Sequence, residues 1–188
     1  MPRISPLPRP VHAIAWCLVL SLLTGCSQLE RRGSKDLPGL VVERLGWMNE
    51  VAHIKERHHL PVTDAKREAA LLRAMTAQGV EAGLPAAATR QFFAAQIDAA
   101  KIYQQQWMKR MSRSKARLSQ PSDLTQVVRP ALDDIGRRMI GALVTARQQP
   151  DRRLMVEQTR KRLQQAGHTS EVVAAAVAGV AAGLGDSE

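Results

Sequence analysis

From Gly39 to near the end of the chain, apolar residues recur at steps of three and four, and no stretch alternates in the two-residue rhythm of a strand. Val42, Leu45, Met48 and Ala52 set the spacing, and Phe93, Ile97, Ala100, Trp107 and Met111 carry it along one long stripe that Gln104 shares. Such stripes must be buried against other helices, so the fold class is all-α: one domain of about six helices over residues 39–188. Only 3% of the 188 residues are aromatic, which disfavours a sandwich or barrel built on Val, Ile, Thr, Tyr and Phe. A charged fraction of 23% beside plentiful aliphatic residues is too modest for global disorder.

Punctuation places the helices. The first runs from Gly39 to about His58 and stops at Leu60-Pro61. Thr63 or Asp64 caps a second that carries Leu71, Leu72 and Met75; Gly79 and Gly83 loosen the chain before a third, long helix from Pro85 to about Ser112. Ser114 to Pro121 is a basic connection that divides an N-terminal half (39–114) from a C-terminal half (121–188). A fourth helix spans Ser122 to Arg147, with Leu124, Val128, Leu132, Ile135 and Met139 as its stripe. A fifth follows Pro150-Asp151 to about Gln165, and Thr169 caps an Ala-rich sixth. Its Gly179 and Gly183 point to close helix packing, because the apolar run from Val172 to Leu184 is too short to cross a bilayer.

The N-terminus reads as an address. Arg3 and Arg9 precede Ala13–Leu23, an uncharged run of 11 residues, which suits a signal peptide and falls short of the about 20 that a spanning helix needs. Leu23-Thr24-Gly25-Cys26 resembles a bacterial lipobox. That resemblance implies a signal peptide over 1–25, cleavage before a lipidated Cys26, and a periplasmic, membrane-anchored product. Ser27 after the cysteine implies the outer membrane. Residues 26–38 then form a tether. Cys17 leaves with the signal, so no disulfide can form within the mature chain. Removing Arg3 and Arg9 takes 27 Lys and Arg to 25 against 17 Asp and Glu, leaving +8, an excess that asks for an anionic partner.

The informative residues are polar groups on apolar faces. Arg44, Met48, Val51 and Lys55 are spaced four, three and four apart, so Arg44 and Lys55 point the same way. Asp64, Arg67, Glu68 and Leu71 share a side of the second helix; Phe93, Gln96, Ile97, Ala100 and Gln104 line up on the third; Arg129 lies beside Val128 on the fourth. Singly, each cation is a border residue with its stem on apolar surface and its charge in water, and Asp64 a helix cap. Together they are a set of cations, an amide and carboxylates on neighbouring faces. Burying such charge costs several kcal/mol unless an anion pairs with it, roughly at the scale known for buried ions.

This set resembles the all-helical chorismate mutases, in particular the secreted gamma subclass. The resemblance rests on ERL at Glu43–Leu45, then Lys55, LPVTDAKREAALL from Leu60 to Leu72, GVEAGLPAAATRQFFAAQIDAAKIYQQ from Gly79 to Gln105, and VVRPALDDIGRRM from Val127 to Met139. Eleven residues from Arg44 to Lys55, nine to Asp64 and three to Arg67 match the family spacing. The family implies a type II-like helical fold and the cofactor-free rearrangement of chorismate to prephenate. It implies Arg44, Arg67 and Arg129 on the two substrate carboxylates, Lys55 and Gln104 donating to the ether oxygen, and Asp64 or Glu68 receiving the hydroxyl. Lys55, Gln104 and Arg44 would be the catalytic groups. Ala100 stands where relatives carry Ser or Thr, so one hydroxyl contact to a carboxylate is missing. The fourth helix supplies Arg129 within the same chain, which implies a complete site per chain, as monomer or homodimer.

Other partners fit less well. His53, His58 and His59 lack an i, i+4 pair, so no metal site is expected, and the rearrangement asks for no cofactor. Nucleic acid is not expected either, for want of a recognised motif and of aromatics. The rival reading is a catalytically silent helical lipoprotein that binds another protein or a small acid.

Overall fold

The computed structural model describes residues 35–113 and 120–185. The expected signal segment, Cys26 and most of the tether lie outside the described residues, as does 114–119 of the basic connection. The described residues form seven α-helices: α1 (Leu37–Gly46), α2 (Met48–Arg57), α3 (Ala65–Glu81), α4 (Ala86–Met111), α5 (Arg129–Arg147), α6 (Arg152–Gln165) and α7 (Ser170–Leu184). A π-helical turn, Leu124–Val128, leads into α5. No strand occurs among the described residues.

Three boundaries differ from expectation. The fourth helix, expected from Ser122, opens as the π-helical turn Leu124–Val128, and α5 itself starts at Arg129. The first helix starts at Leu37, with Pro38 in its first turn rather than at the tether's end; proline is tolerated there because that N–H has no helical partner. The same helix is broken at Trp47, directly after Gly46, a weak helix former, so one expected helix becomes α1 and α2. Elsewhere the caps fall as the side chains dictate. Asp64 Oδ1 accepts from the Arg67 N–H at 3.0 Å, and Asp151 Oδ1 from the Leu154 N–H at 3.0 Å. Thr169 stands at the N-cap of α7 but does not cap it: its hydroxyl donates to Gln106 Oε1 at 3.0 Å, tying α7 to α4.

The long helix α4 is the axis of the fold, because it is buried on two sides. One side carries Phe92, Gln96 and Ala99 towards α7, its most extensive partner; the other carries Phe93, Ile97, Ala100 and Gln104. Phe92 and Phe93 meet edge to face at 4.9 Å. The α4–α7 contact depends on Gly179, where a β-carbon would stand 2.7 Å from Ala95 Cβ and 3.0 Å from the Phe92 carbonyl oxygen. Across the fold, Arg138 of α5 forks onto Glu43 of α1 (Nη2–Oε1 2.6 Å) and fixes the neighbourhood of Arg44. No helix among the described residues is long and apolar enough to cross a membrane.

Candidate active site

The second buried side of α4 faces a cavity of about 260 Å³, closed by α1, α2, the α2–α3 loop, α3 and α5. All eight expected site residues line it: Arg44 from α1, Lys55 from α2, Asp64 as the cap of α3 with Arg67 and Glu68 behind it, Ala100 and Gln104 from α4, and Arg129 at the start of α5. Met48, Leu71, Phe93 and Ile97 supply an apolar wall. Gln96, expected on the same stripe, is elsewhere: its amide donates to the Ala176 carbonyl of α7 at 2.9 Å.

These residues differ in depth. Arg44 and Gln104 are buried, at 7% and 5% exposure, whereas Lys55, Glu68 and Arg129 are half-buried. Asp64 and Arg67 are exposed and stand at the mouth rather than on an inward face. The reason is that α3 is mostly a surface helix, burying only Met75 and Gly79.

Hydrogen bonding separates satisfied groups from waiting ones. Lys55 Nζ donates to the Val62 carbonyl at 2.6 Å, which aims its stem at the cavity and leaves two ammonium protons. Glu68 is held twice: its Oε1 accepts from the Asp64 N–H at 3.0 Å and its Oε2 from Lys101 Nζ at 3.2 Å. In contrast, Arg44 Nη1, Gln104 Oε1 and Arg129 Nε are buried without a hydrogen-bond partner. Gln104 Nε2 has only the Met48 sulfur, at 3.5 Å. Buried polar atoms are nearly always satisfied in folded proteins, so three orphans around one cavity mark a place shaped for a ligand.

The electrostatics agree. Burial pushes the Arg44 guanidinium down to about 10, so it remains a cation at neutral pH with no carboxylate beside it to offset its desolvation. Lys55 is lowered chiefly by burial; Asp64 and Glu68 act against that, while Arg67 and Arg129 reinforce it. Lys101 and Asp133 also line the cavity and were not anticipated. Asp133 lies four residues after Arg129, and Lys101 four after Ile97 and three before Gln104, helical spacings that could have revealed both. The lining therefore holds five cations (Arg44, Lys55, Arg67, Lys101, Arg129) against three carboxylates (Asp64, Glu68, Asp133), an excess of two positive charges.

Fold and cavity together define an all-helical domain that offers, from one chain, a small apolar chamber with guanidinium, ammonium and amide donors turned inward. Residues 35–105 match the family chorismate mutase type II. The described domain carries the all-helical fold of solved chorismate mutases. A secreted chorismate mutase of Yersinia pestis is 37% identical over 65 residues. That match spans 35% of this chain and 35% of the relative's length. The crystal structure of secreted chorismate mutase from Yersinia pestis is similar with a TM-score of 0.69 at 25% identity, over 77% of this chain and 93% of that one. The crystal structure of chorismate mutase from Burkholderia thailandensis is similar with a TM-score of 0.65 at 26% identity, over 80% of this chain and 96% of that one.

Proposed function

We propose that this protein converts chorismate to prephenate in the cavity beside α4. The observation that carries the reading is the charge and hydrogen-bond deficit of that cavity. Two excess positive charges and an unpartnered buried Arg44 suit a small dicarboxylate with further oxygen acceptors. The similarity to chorismate mutases supplies the candidate, since chorismate carries two carboxylates, a hydroxyl and an ether oxygen.

The reaction is a one-step pericyclic rearrangement, so catalysis is positioning plus fixed electrostatics. Arg44, Arg67 and Arg129 hold the carboxylates and fold the substrate into its compact reactive shape. Lys55 donates to the ether oxygen as it gathers negative charge, keeping the Val62 carbonyl on another of its protons. The Gln104 amide leaves the weak Met48 acceptor for the same oxygen. Glu68 or Asp64 receives the hydroxyl. Ala100 offers only a methyl group, so a carboxylate there is met by water or backbone, which raises the Michaelis constant. All eight groups come from one chain, so no partner subunit need complete the site.

We place the protein outside the cytoplasm, held by lipid on Cys26 and facing the periplasm from the outer membrane. The N-terminal pattern supports this, as does the similarity to a secreted relative. Incorporation of labelled fatty acid that Cys26→Ser abolishes is the expected result, and unchanged labelling refutes the anchor. For the activity, purified protein is incubated with chorismate and assayed for prephenate. Folded protein that gives no product above the uncatalysed rate leaves only a binding module.

A further inference from the structure

We infer that Lys101 is a positioning residue of this cavity, holding Glu68 aimed so that its carboxylate receives the substrate hydroxyl. The inference rests on the chorismate mutase reading of the site and adds a residue to it. Lys101 sits on α4 one position past Ala100, and its ammonium reaches across to α3. Nζ lies 3.2 Å from Glu68 Oε2 and 3.0 Å from Asp98 Oδ1. Asp98 grips the ammonium from its own helix, one turn back, so Lys101 cannot swing freely into the chamber. Glu68 Oε1 is taken at the same time by the Asp64 N–H. The carboxylate is thus clamped between the cap of α3 and the side chain of α4, with one lone pair left on each oxygen for an incoming hydroxyl.

The clamp is needed because of what the cavity receives. A dianion beside Glu68 repels its charge, which would favour a turned-away carboxylate. Lys101 offsets that repulsion and completes the excess of two positive charges; without it the excess is one. As a mere staple between α3 and α4 the pair would matter little, since both side chains are about a quarter exposed, 26% and 23%. Partly exposed pairs of this kind commonly add little to stability. A large effect of Lys101 must therefore appear in function, and specifically at the hydroxyl.

The test compares wild type, Lys101→Met, Lys101→Arg, Glu68→Gln and the Lys101→Met/Glu68→Gln double variant, with chorismate and with the analogue whose hydroxyl is replaced by hydrogen. Turnover and calorimetric binding are both measured. Wild type should favour the hydroxylated compound by about tenfold or more, the scale of a hydrogen bond to a charged acceptor. Lys101→Met should lose at least about fivefold more on chorismate than on the analogue, chiefly in KM, and Lys101→Arg should restore it. The double variant should discriminate no less than Glu68→Gln alone, and the melting temperature of Lys101→Met should stay within about 2 °C of wild type. Equal losses on both compounds, or additive losses in the double variant, overturn the proposal. A wild type that binds both compounds with the stated preference but turns over neither refutes the mutase reading while leaving Lys101 in place; one that binds both equally refutes Lys101.

Discussion

Gln104 Nε2 lies 3.5 Å from the sulfur of Met48, and this is the best acceptor the buried amide has, while its Oε1 has no partner. A thioether is a weak acceptor, so little is lost when the amide turns to a ligand oxygen. An amide also donates at every pH, whereas a carboxyl donates only when protonated. Turnover by the wild type is therefore expected to be nearly flat from about pH 6 to 8. Gln104→Glu should confine activity to the acid side, with kcat/KM rising steadily as pH falls. A wild-type profile that itself climbs towards acid, with folding unchanged, would count against the role of Gln104.

Lys55 sets the alkaline limit. Its ammonium is the donor, and burial holds its pKa below the ordinary 10.5. Activity should be complete below that lowered value and fall as pH rises through it, earlier than for an unperturbed lysine. Lys55→Ala should lose about 10²–10³ in kcat, the usual consequence of deleting one donor to a developing oxyanion. Full activity persisting well past the pKa of an ordinary lysine would exclude the ammonium as that donor.

Arg44 should oppose stability to activity. It is buried, has an unpartnered Nη1, and its pKa lowered to about 10 records that the folded state disfavours its charge. Because that value lies below the unfolded one, the penalty is fully present at neutral pH and is relieved only as pH rises through 10. Arg44→Met keeps an apolar stem and removes the charge, so the melting temperature should rise by ~2–6 °C while kcat/KM falls by about 10²–10³. A dicarboxylate ligand should raise the melting temperature of the wild type and leave that of the variant unchanged. Loss of stability on substitution would show that Arg44 is satisfied in solution.

Two glycines should answer oppositely to the same substitution. At Gly179 a new β-carbon meets Ala95 Cβ at 2.7 Å and the Phe92 carbonyl at 3.0 Å, so Gly179→Ala must push α7 off α4 and should cost about 1–3 kcal/mol. Gly141, exposed within α5, has nothing within 4 Å, and alanine there should stabilise by about 0.4–1 kcal/mol through helix propensity and a less free unfolded chain. Urea midpoints for the two variants, moving in opposite directions, are the check.

Much of the molecule was legible from helical spacing alone. The steps from Arg44 to Lys55 and from Asp64 to Glu68 put on common faces side chains that line one cavity, because an α-helix fixes the angle between its own residues. The same periodicity misplaced Gln96, which stands eight residues before Gln104 and so about 80° out of phase with it. α4 is buried on two sides, and a stripe of apolar residues does not say which side faces α7 and which the cavity. Nor did spacing foresee that Asp64 and Arg67 are exposed at the mouth, since that depends on how little of α3 the rest of the fold covers.

By itself, the sequence determined the all-helical class, a cap for α3 at Thr63 or Asp64, and the residue types assembled for an anion. Those follow from local rules: periodicity within one helix and side chains that reach their own backbone. Only the tertiary structure decided that Arg44 Nη1, Gln104 Oε1 and Arg129 Nε, from three helices, are left together without partners, and that Lys101 spans from α4 to Glu68. Such pairings between helices are set by long-range packing, chiefly of α4 on α7 and of α3 on α4, with Arg138 of α5 holding Glu43 of α1. The helical period carries no information across that gap.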